Sequence, residues 1–288
     1  MSVNRSILAG LAAIVAASGW VLAGAAQQLP LQPTKERGAN VTAAYEGWYP
    51  NPDGTFTLLI GYFNRNRAET LDIPVGPNNR IEPGGPDYGQ PTYFLPRRQW
   101  GVFTIVVPKD FGTKKLMWTI VANGEKTEIP LSLNMAYQVE PFKDVAMGNT
   151  PPVLKLQETG PEFTGPPRGF AATLSTAVGQ PLSFPIWVSD KGNTIAEEGG
   201  RGRGNAPPAM LVLVKHRGPG DVKFAEPRPK ADFAAGGKAT ATATFSAPGE
   251  YVIRVQANDS SGEGGGGFQC CWTTAYIKVN VKAAATGK

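Results

Sequence analysis

The turn and strand at residues 247–258 constrain the fold more than any other part of the chain. The segment reads APGEYVIRVQAN, in which a Pro-Gly turn leads directly into a two-residue alternation. Successive side chains of a strand point to opposite faces of a sheet, so this period predicts a half-buried β-strand. Its predicted core face carries Tyr251, Ile253, Val255 and Ala257. The opposite face is expected to meet water or a domain rim and carries Val252, Arg254, Gln256 and Asn258.

The position of Tyr251 also indicates the fold, because this residue lies two positions after the turn glycine Gly249, at the start of the predicted strand. This placement resembles the tyrosine corner of Greek-key sandwiches, in which the phenol hydroxyl donates a hydrogen bond back to the preceding loop. The motif predicts a β-sandwich and implies no chemistry.

Composition favours many short strands joined by tight turns. The chain has 288 residues, and at roughly 150 residues per domain this length predicts two domains. Its 35 glycines and 26 prolines are too many for a helical protein, while 41% hydrophobic residues are enough to build cores. The formal net charge of +5 is spread along the chain without runs of like charge, which argues against a nucleic-acid partner.

The first 25 residues have the features of a Sec-type signal peptide. Arg5 precedes an uncharged stretch at residues 6–26, and small residues at 23–25 form a cleavage site. An uncleaved membrane anchor is the alternative, because about 20 uncharged residues can span a bilayer. We therefore expect a secreted, periplasmic or cell-surface protein with no transmembrane span in the mature chain.

Turn signals divide the rest of the chain into two tandem sandwich domains. We predict a flexible lead-in at residues 26–43, a first domain at 44–142, a linker at 143–152, a second domain at 153–283 and a tail at 284–288. Asn123 and Gly124, between two alternating segments, predict a type I′ hairpin. The glycine- and arginine-rich run at residues 190–208 is too polar to order itself and predicts a mobile loop.

The second predicted domain resembles a known family. Residues 215–224 (KHRGPGDVKF) and 241–259 (ATATFSAPGEYVIRVQAND) are similar to the second half of bacterial PKD-like and related Ig-like domains. The resemblance extends over residues 153–283 and implies an Ig-like β-sandwich, a fold that serves in spacers, adhesive units and glycan-side accessories alike. Residues 45–140 resemble the front part of uncharacterised exported bacterial proteins, which implies no activity.

The sequence offers little for catalysis. His216 is the single histidine, and its place between Lys215 and Arg217 predicts a solvated strand end rather than a catalytic base or metal ligand. Carboxylates are scattered. A glycosidase pair of Glu46 with Asp53 or Asp87 is conceivable, but turn chemistry accounts for such positions equally well. We predict that the protein is not an enzyme.

The two cysteines, Cys270 and Cys271, are adjacent and follow a run of four glycines that ends at Gly267. Three states are open, namely packed thiols, a vicinal disulfide, or a cross-link between two molecules. Ordinary disulfide geometry opposes the second state, because neighbouring Cα atoms are ~3.8 Å apart and bonded cysteines usually ~4.4–6.8 Å. Packed thiols are favoured, and a redox or cross-linking role is a hypothesis.

Oxygen-bearing side chains near predicted loop ends suggest a calcium site as a weak hypothesis. The candidates in the second domain are Asp190, Asn193, Asn258, Asp259 and Glu263. Calcium prefers such oxygen ligands, but the spacing of a dedicated calcium loop is missing, so turn formation is favoured.

Aromatic residues of the first domain suggest a binding surface. Most of them, including Trp118, are expected in the core, but four lie in Pro- and Gly-rich surroundings where burial of every ring is not expected. These are Trp48, Tyr49, Tyr88 and Tyr93. Exposed rings stack on sugars or on apolar patches of a partner, and Arg97 and Arg98 would add polar contacts. The alternative is that the rings cover the ends of the sandwich.

These observations predict an exported, all-β bacterial protein that makes protein or surface contacts without chemistry of its own. Its expected partner is an extracellular or envelope protein or a polysaccharide. A carbohydrate-binding accessory module that uses the aromatics of the first domain is the main alternative. A hydrolase that uses the scattered carboxylates is the third.

Overall fold

The computed structural model describes residues 33–144, 148–191, 207–259 and 270–284. The predicted signal peptide, most of the predicted loop at 190–208, Asn193 and Glu263 lie outside these ranges. Within them, all regular structure is β-strand except one 3-10 turn at Met135–Tyr137, which confirms the all-β fold. None of the described residues belongs to a helix that is long and apolar enough to cross a membrane.

The first sandwich is built from two three-stranded antiparallel sheets and a short two-stranded ladder. One sheet has the order β1-β2-β6, with β1 at Val41–Pro50, β2 at Phe56–Asn64 and β6 at Arg97–Val107. The other has the order β4-β7-β8, with β4 at Asn79–Glu82, β7 at Lys115–Ala122 and β8 at Glu125–Ser132. The ladder pairs β3 at Leu71–Asp72 with β5 at Tyr93–Phe94.

The core of this sandwich lies between the two sheets. Leu58 and Ile60 of one sheet and Trp118 of the other are fully buried in the same cluster. The Trp118 ring meets the Phe103 ring edge to face at 5.1 Å, and its indole N–H donates to Asn79 Oδ1 at 3.0 Å. The expectation that Trp118 is a core residue is confirmed.

Two local predictions for the first sandwich have different outcomes. Asn123 and Gly124 both have positive φ, 50° and 80°, and join β7 to β8 as the hairpin prediction required. The lead-in prediction is wrong at its end, because β1 begins at Val41, inside the segment for which no regular structure was expected. Val41 is buried and Thr127 donates to its carbonyl, so tertiary contacts order this stretch despite its lack of periodicity.

The second sandwich has two four-stranded sheets. The first has the order β10-β16-β15-β12, with β10 at Ala172–Ala177, β12 at Ala209–Arg217, β15 at Gly249–Asp259 and β16 at Trp272–Lys282. The second has the order β13-β14-β11-β9, with β9 at Val153–Lys155, β11 at Leu182–Ser189, β13 at Val222–Phe224 and β14 at Lys238–Phe245. All neighbours are antiparallel except β10 and β16. Side chains from both sheets form one buried apolar cluster.

The strand predicted after the Pro-Gly turn at residues 248–249 is β15, an inner strand of the first sheet of this sandwich. The predicted core face is confirmed, since Tyr251, Ile253, Val255 and Ala257 are all 0% exposed. The tyrosine corner is confirmed too, because the Tyr251 hydroxyl donates to the Ala247 carbonyl at 2.9 Å. Gly218 gives the ring its room, as a Cβ built there would lie 2.0 Å from Tyr251 Cδ1.

The two sandwiches have separate cores, yet the chain from Thr34 onward forms one compact unit. Inside the predicted linker, Asn149 donates to the Asp259 carboxylate of β15 at 2.5 Å. Tyr276 of β16 packs against the core cluster of the first sandwich. The division into separate domains at residues 143–152 stays a prediction.

Candidate functional site: the inter-sandwich interface

The burial of the outward face of β15 is the largest departure from the sequence-based expectations. Val252, Arg254, Gln256 and Asn258 were expected to meet water or a rim, but they are only 7%, 1%, 2% and 3% exposed. Arg254, one of these four, contacts β6 of the first sandwich. Arg254 Nη2 donates to Gln99 Oε1 at 3.0 Å. We call this surface, formed by β6 and the outward faces of β15 and β16, the inter-sandwich interface.

Strand β16 supplies the aromatic part of this interface. The Tyr276 hydroxyl donates to the Val102 carbonyl, and the Trp272 ring lies on Gly101. Gly101 has a φ of 53°, and a Cβ built there would lie 2.1 Å from Trp272 Cη2. Only glycine accommodates both the backbone conformation and the ring at this position. Two residues far apart in sequence therefore determine how closely the strands approach.

Glu46 of β1 and Arg98 of β6 form a partly buried ion pair beside the interface. Arg98 Nη2 lies 2.6 Å from Glu46 Oε1, and the Gly101 N–H donates to Glu46 Oε2 at 2.8 Å. Burial raises the pKa of Glu46, and the charge of Arg98 and the Gly101 N–H oppose that rise. Gly61 makes room for the pair, because a Cβ there would lie 2.2 Å from Glu46 Oε1.

His216 is buried at the interface, so the expectation of a solvated strand end is wrong. It is 3% exposed, and its ring centroid lies 4.8 Å from that of Tyr276. Nε2 is 2.9 Å from the Gly89 carbonyl, which can only accept, so this nitrogen carries the proton. Burial lowers the pKa of His216 to about 3. The imidazole is therefore neutral at physiological pH and acts as an oriented donor.

The residues on either side of His216 extend the contact to loops of the first sandwich. Arg217 binds both carboxylate oxygens of Asp87, at 2.7 and 3.0 Å. This hydrogen bonding lowers the pKa of Asp87. Lys215 Nζ lies 2.7 Å from Asp72 Oδ2 and 4.9 Å from the centroid of the Tyr93 ring. Three consecutive residues of β12 thus each bind the first sandwich, because a bulge between Lys215 and Arg217 interrupts the alternation of side chains.

This arrangement binds two sandwiches to each other. The carboxylates considered for a glycosidase serve different partners: Glu46 binds Arg98, Asp53 accepts from the Thr55 N–H and hydroxyl, and Asp87 binds Arg217. Each one therefore has a partner in the fold. Perturbed pKa values also occur in structural ion-pair networks, and the geometry here matches that role.

The residues of the predicted aromatic surface have different surroundings in the structure. Trp48 and Tyr49 are buried, at 5% and 4% exposed, whereas Tyr88 and Tyr93 are partly exposed, so the expectation that not every ring is buried holds. The Trp48 indole donates to the Asn134 carbonyl at 2.8 Å, and the Tyr49 ring packs on Phe142. The Trp48 ring belongs to the core cluster of the first sandwich.

The other four predicted binding residues keep some exposure. Tyr88 is partly exposed and donates to the Pro83 carbonyl, while the Tyr93 ring faces Lys215. Arg97 is exposed with a φ of 70°, and the Arg98 guanidinium stacks on the Trp100 ring at 3.7 Å. A ligand-binding role for these residues stays a prediction.

The structure contains the vicinal disulfide, one of the three states open for the cysteines. Cys270 and Cys271 are bonded to each other and are 2% and 1% exposed. The preference for packed thiols is therefore wrong. Cys270 Sγ contacts the Asn149 carbonyl at 3.7 Å, so the pair lies close to the linker contact with Asp259. A redox role stays a prediction.

The calcium hypothesis gains no geometric support among the described residues. Asp190 is partly buried, whereas Asn258 and Asp259 are buried and Asp259 accepts from Asn149. Within the described ranges, no group of three or more His, Cys, Asp or Glu side chains is placed to hold a metal ion. Calcium binding by Asp190, Asn258 and Asp259 stays a prediction.

Sequence reasoning missed the interface even though it identified several of its residues. Arg254, Gln256 and His216 were each interpreted as solvent-facing. The available signal was polar residues on the second face of a long strand, and this signal does not distinguish water from a polar partner surface.

Comparison with known proteins gives only distant likenesses. No family model and no curated protein matches the chain. Domains 4 and 5 of the S-layer protein SbsC are 13% identical with a TM-score of 0.23, and the match covers 59% of this chain and 66% of that one. The D00-D0 domain of intimin is 12% identical with a TM-score of 0.24, covering 83% and 96%. The fibronectin(III)-like modules of Clostridium thermocellum CbhA are 13% identical with a TM-score of 0.24, covering 86% and 97%. Likenesses this distant carry no argument about function.

Proposed function

We propose that this chain is an exported, non-catalytic protein of the bacterial cell exterior whose two sandwiches act as one rigid unit in protein or surface contacts. The observation that carries the proposal is the burial of Arg254 against Gln99, at the centre of a polar inter-sandwich interface. Protein modules joined by a short linker move relative to each other unless their interface is large or specific. This interface is specific.

Specificity comes from the number of directional contacts that must form together. Arg217 with Asp87, Lys215 with Asp72 and Arg254 with Gln99 each join the two sandwiches. A relative rotation of the sandwiches would break several of these bonds at once and leave buried polar groups without partners, which is costly. A protein that presents a surface at a distance from the cell benefits from such a fixed geometry.

Rigidity is testable by distance measurement between spin labels on opposite sandwiches. Lys126→Cys on β8 and Thr240→Cys on β14 place labels at exposed positions. We expect a narrow distance distribution in the otherwise native chain and a broader one after Arg254→Ala. A broad distribution in both proteins would contradict the rigid unit.

Location and contact are tested separately on intact bacteria that produce the tagged chain. External protease is expected to remove the tag without lysis, and a membrane-impermeant cross-linker is expected to join the chain to an envelope component. Protection of the tag until lysis would contradict the proposed exterior location, while leaving the measured rigidity unaffected.

A further inference from the structure

The outward faces of β15 and β16 carry four buried side chains whose polar atoms lack a hydrogen-bond partner among the described residues. The atoms are Arg254 Nη1, Gln256 Nε2, Asn258 Oδ1 and Thr274 Oγ1. Their residues are 1%, 2%, 3% and 1% exposed. Buried polar groups in folded proteins almost always have a partner, which is either protein or a bound species. Four such residues on one face therefore indicate a bound species, either ordered water or a ligand.

Strand register brings these residues together. Gln256 on β15 lies directly opposite Thr274 on β16, and Arg254 and Asn258 are two residues to either side of Gln256. Directly opposite Cβ atoms in an antiparallel pair are about 4.5–5.5 Å apart, and same-face neighbours along a strand about 7 Å. Long side chains at these spacings can converge on a single small species.

The positive charge of Arg254 indicates which kind of species binds beside it. The Arg254 guanidinium keeps its positive charge in a protein, and its hydrogen-bond partner Gln99 is a neutral amide. Among the described residues no carboxylate lies within ion-pair distance of Arg254. Glu46, whose pKa Arg254 influences, bonds instead to Arg98 and the Gly101 N–H. A buried charge without a counter-charge is strongly unfavourable.

The chemistry of the unpaired atoms agrees with this charge. Arg254 Nη1 and Gln256 Nε2 are donors, and the Thr274 hydroxyl can donate. Three donors and a net positive charge suit an anion, whereas water would satisfy the donors but leave the charge uncompensated. A water bound between the anion and Asn258 Oδ1 would satisfy the fourth atom.

We propose that Arg254, Gln256 and Thr274 bind a small monovalent anion of the size of chloride or formate at the inter-sandwich interface. The anion supplies a direct ion-pair partner for Arg254, which has none among the described residues. Because Arg254 also contacts Gln99, binding stabilises the contact between the sandwiches. The site shares Arg254 with the proposed rigid contact, but that contact does not require an ion, so failure of the anion test would leave the proposed function standing.

Thermal melting at constant ionic strength tests the site. When chloride replaces gluconate from about 5 to about 200 mM, we expect the Tm to rise by about 3–6 °C if the Kd is near 10 mM. Arg254→Met is expected to abolish this rise. The matched control is Arg217→Met, which breaks the pair with Asp87 in the same interface. It should lower the Tm in both salts and keep the chloride response.

A second variant and a direct measurement keep the test decisive if Arg254→Met does not fold. Thr274→Val removes one donor without changing charge, so it is expected to weaken chloride binding several-fold in the same titration. Crystals soaked in bromide should show an anomalous peak beside Arg254. Formate in place of chloride distinguishes a carboxylate from a halide, and stabilisation by either supports an anion site. Equal Tm values in gluconate, chloride and formate, with no bromide peak, would overturn the proposal and assign the donors to water.

Discussion

Both faces of β15 are buried, but one is apolar and the other is mainly polar. The inward face carries Tyr251, Ile253, Val255 and Ala257 in an apolar core, and the outward face carries Arg254, Gln256 and Asn258 in a polar interface. Apolar burial is roughly proportional to area and depends little on which apolar neighbour is present. Polar burial is favourable only when each group meets a matching partner. The inward face therefore supplies stability, and the outward face supplies a fixed orientation.

The largest expected loss of stability comes from a substitution on the inward face of β15. Ile253→Ala leaves a cavity among close-packed side chains and should lower the free energy of unfolding by about 2–5 kcal/mol in a urea titration. The control is Thr240→Ala, at an exposed position of β14, which should change stability by no more than about 0.5 kcal/mol. Similar losses from the two variants would mean that β15 does not carry the core.

Lowering the pH tests the polar inter-sandwich interface, because His216 is buried there. Its ordinary pKa is 6.5 and its folded value is about 3, so in this range the unfolded chain binds a proton that the folded chain does not. Stability should therefore fall as the pH falls below about 6.5, by up to about 1.4 kcal/mol per pH unit, and this group should have no effect at higher pH.

His216→Phe isolates that contribution, because Asp87 and Glu46 titrate in both proteins. Urea titrations at pH 7 and pH 4 should differ by about 3 kcal/mol less in the variant than in the native chain. A parallel pH dependence in the two proteins would show that His216 is accessible to protons in the folded state.

Glu46→Gln tests the ion pair with Arg98, because it removes the negative charge of the side chain without changing its size. Arg98 would remain partly buried without its ion pair, and we expect a loss of about 2–3 kcal/mol. The Arg98 side chain is 23% exposed, so water offsets part of the cost. The matched control is Glu82→Gln at the exposed pair with Arg80, expected to cost about 0–1 kcal/mol. Equal losses would indicate that the Glu46 pair behaves as a surface contact.

The smallest expected effect concerns the tyrosine corner. Tyr251→Phe keeps the ring in the core and removes the bond to the Ala247 carbonyl, which should cost about 0.5–1.5 kcal/mol in the urea titration. Thermal melting of the same variant should retain a single cooperative transition. A loss as large as that of Ile253→Ala would show that the hydroxyl contributes as much as core packing.

Features with a short-range cause could be predicted from the sequence. The alternation at 251–257, the corner hydrogen bond between residues four apart and the Asn123-Gly124 hairpin each depend on the local chain. The same reasoning identified Trp118 as core. It could not find the ion pair of Glu46 and Arg98, because these residues lie 52 positions apart and neither has a distinctive sequence signal.

What the sequence determined by itself was the all-β architecture and the inward face of β15, because apolar alternation and turn chemistry act between near neighbours. The tertiary structure alone decided that the outward face is buried, that His216 is enclosed and that the two cysteines bond to each other. Arg254 and Gln99 are separated by 155 residues, and His216 and Gly89 by 127. A polar strand face is compatible with water or with a complementary protein surface, and only the docking of the second sandwich on β6 selects between them.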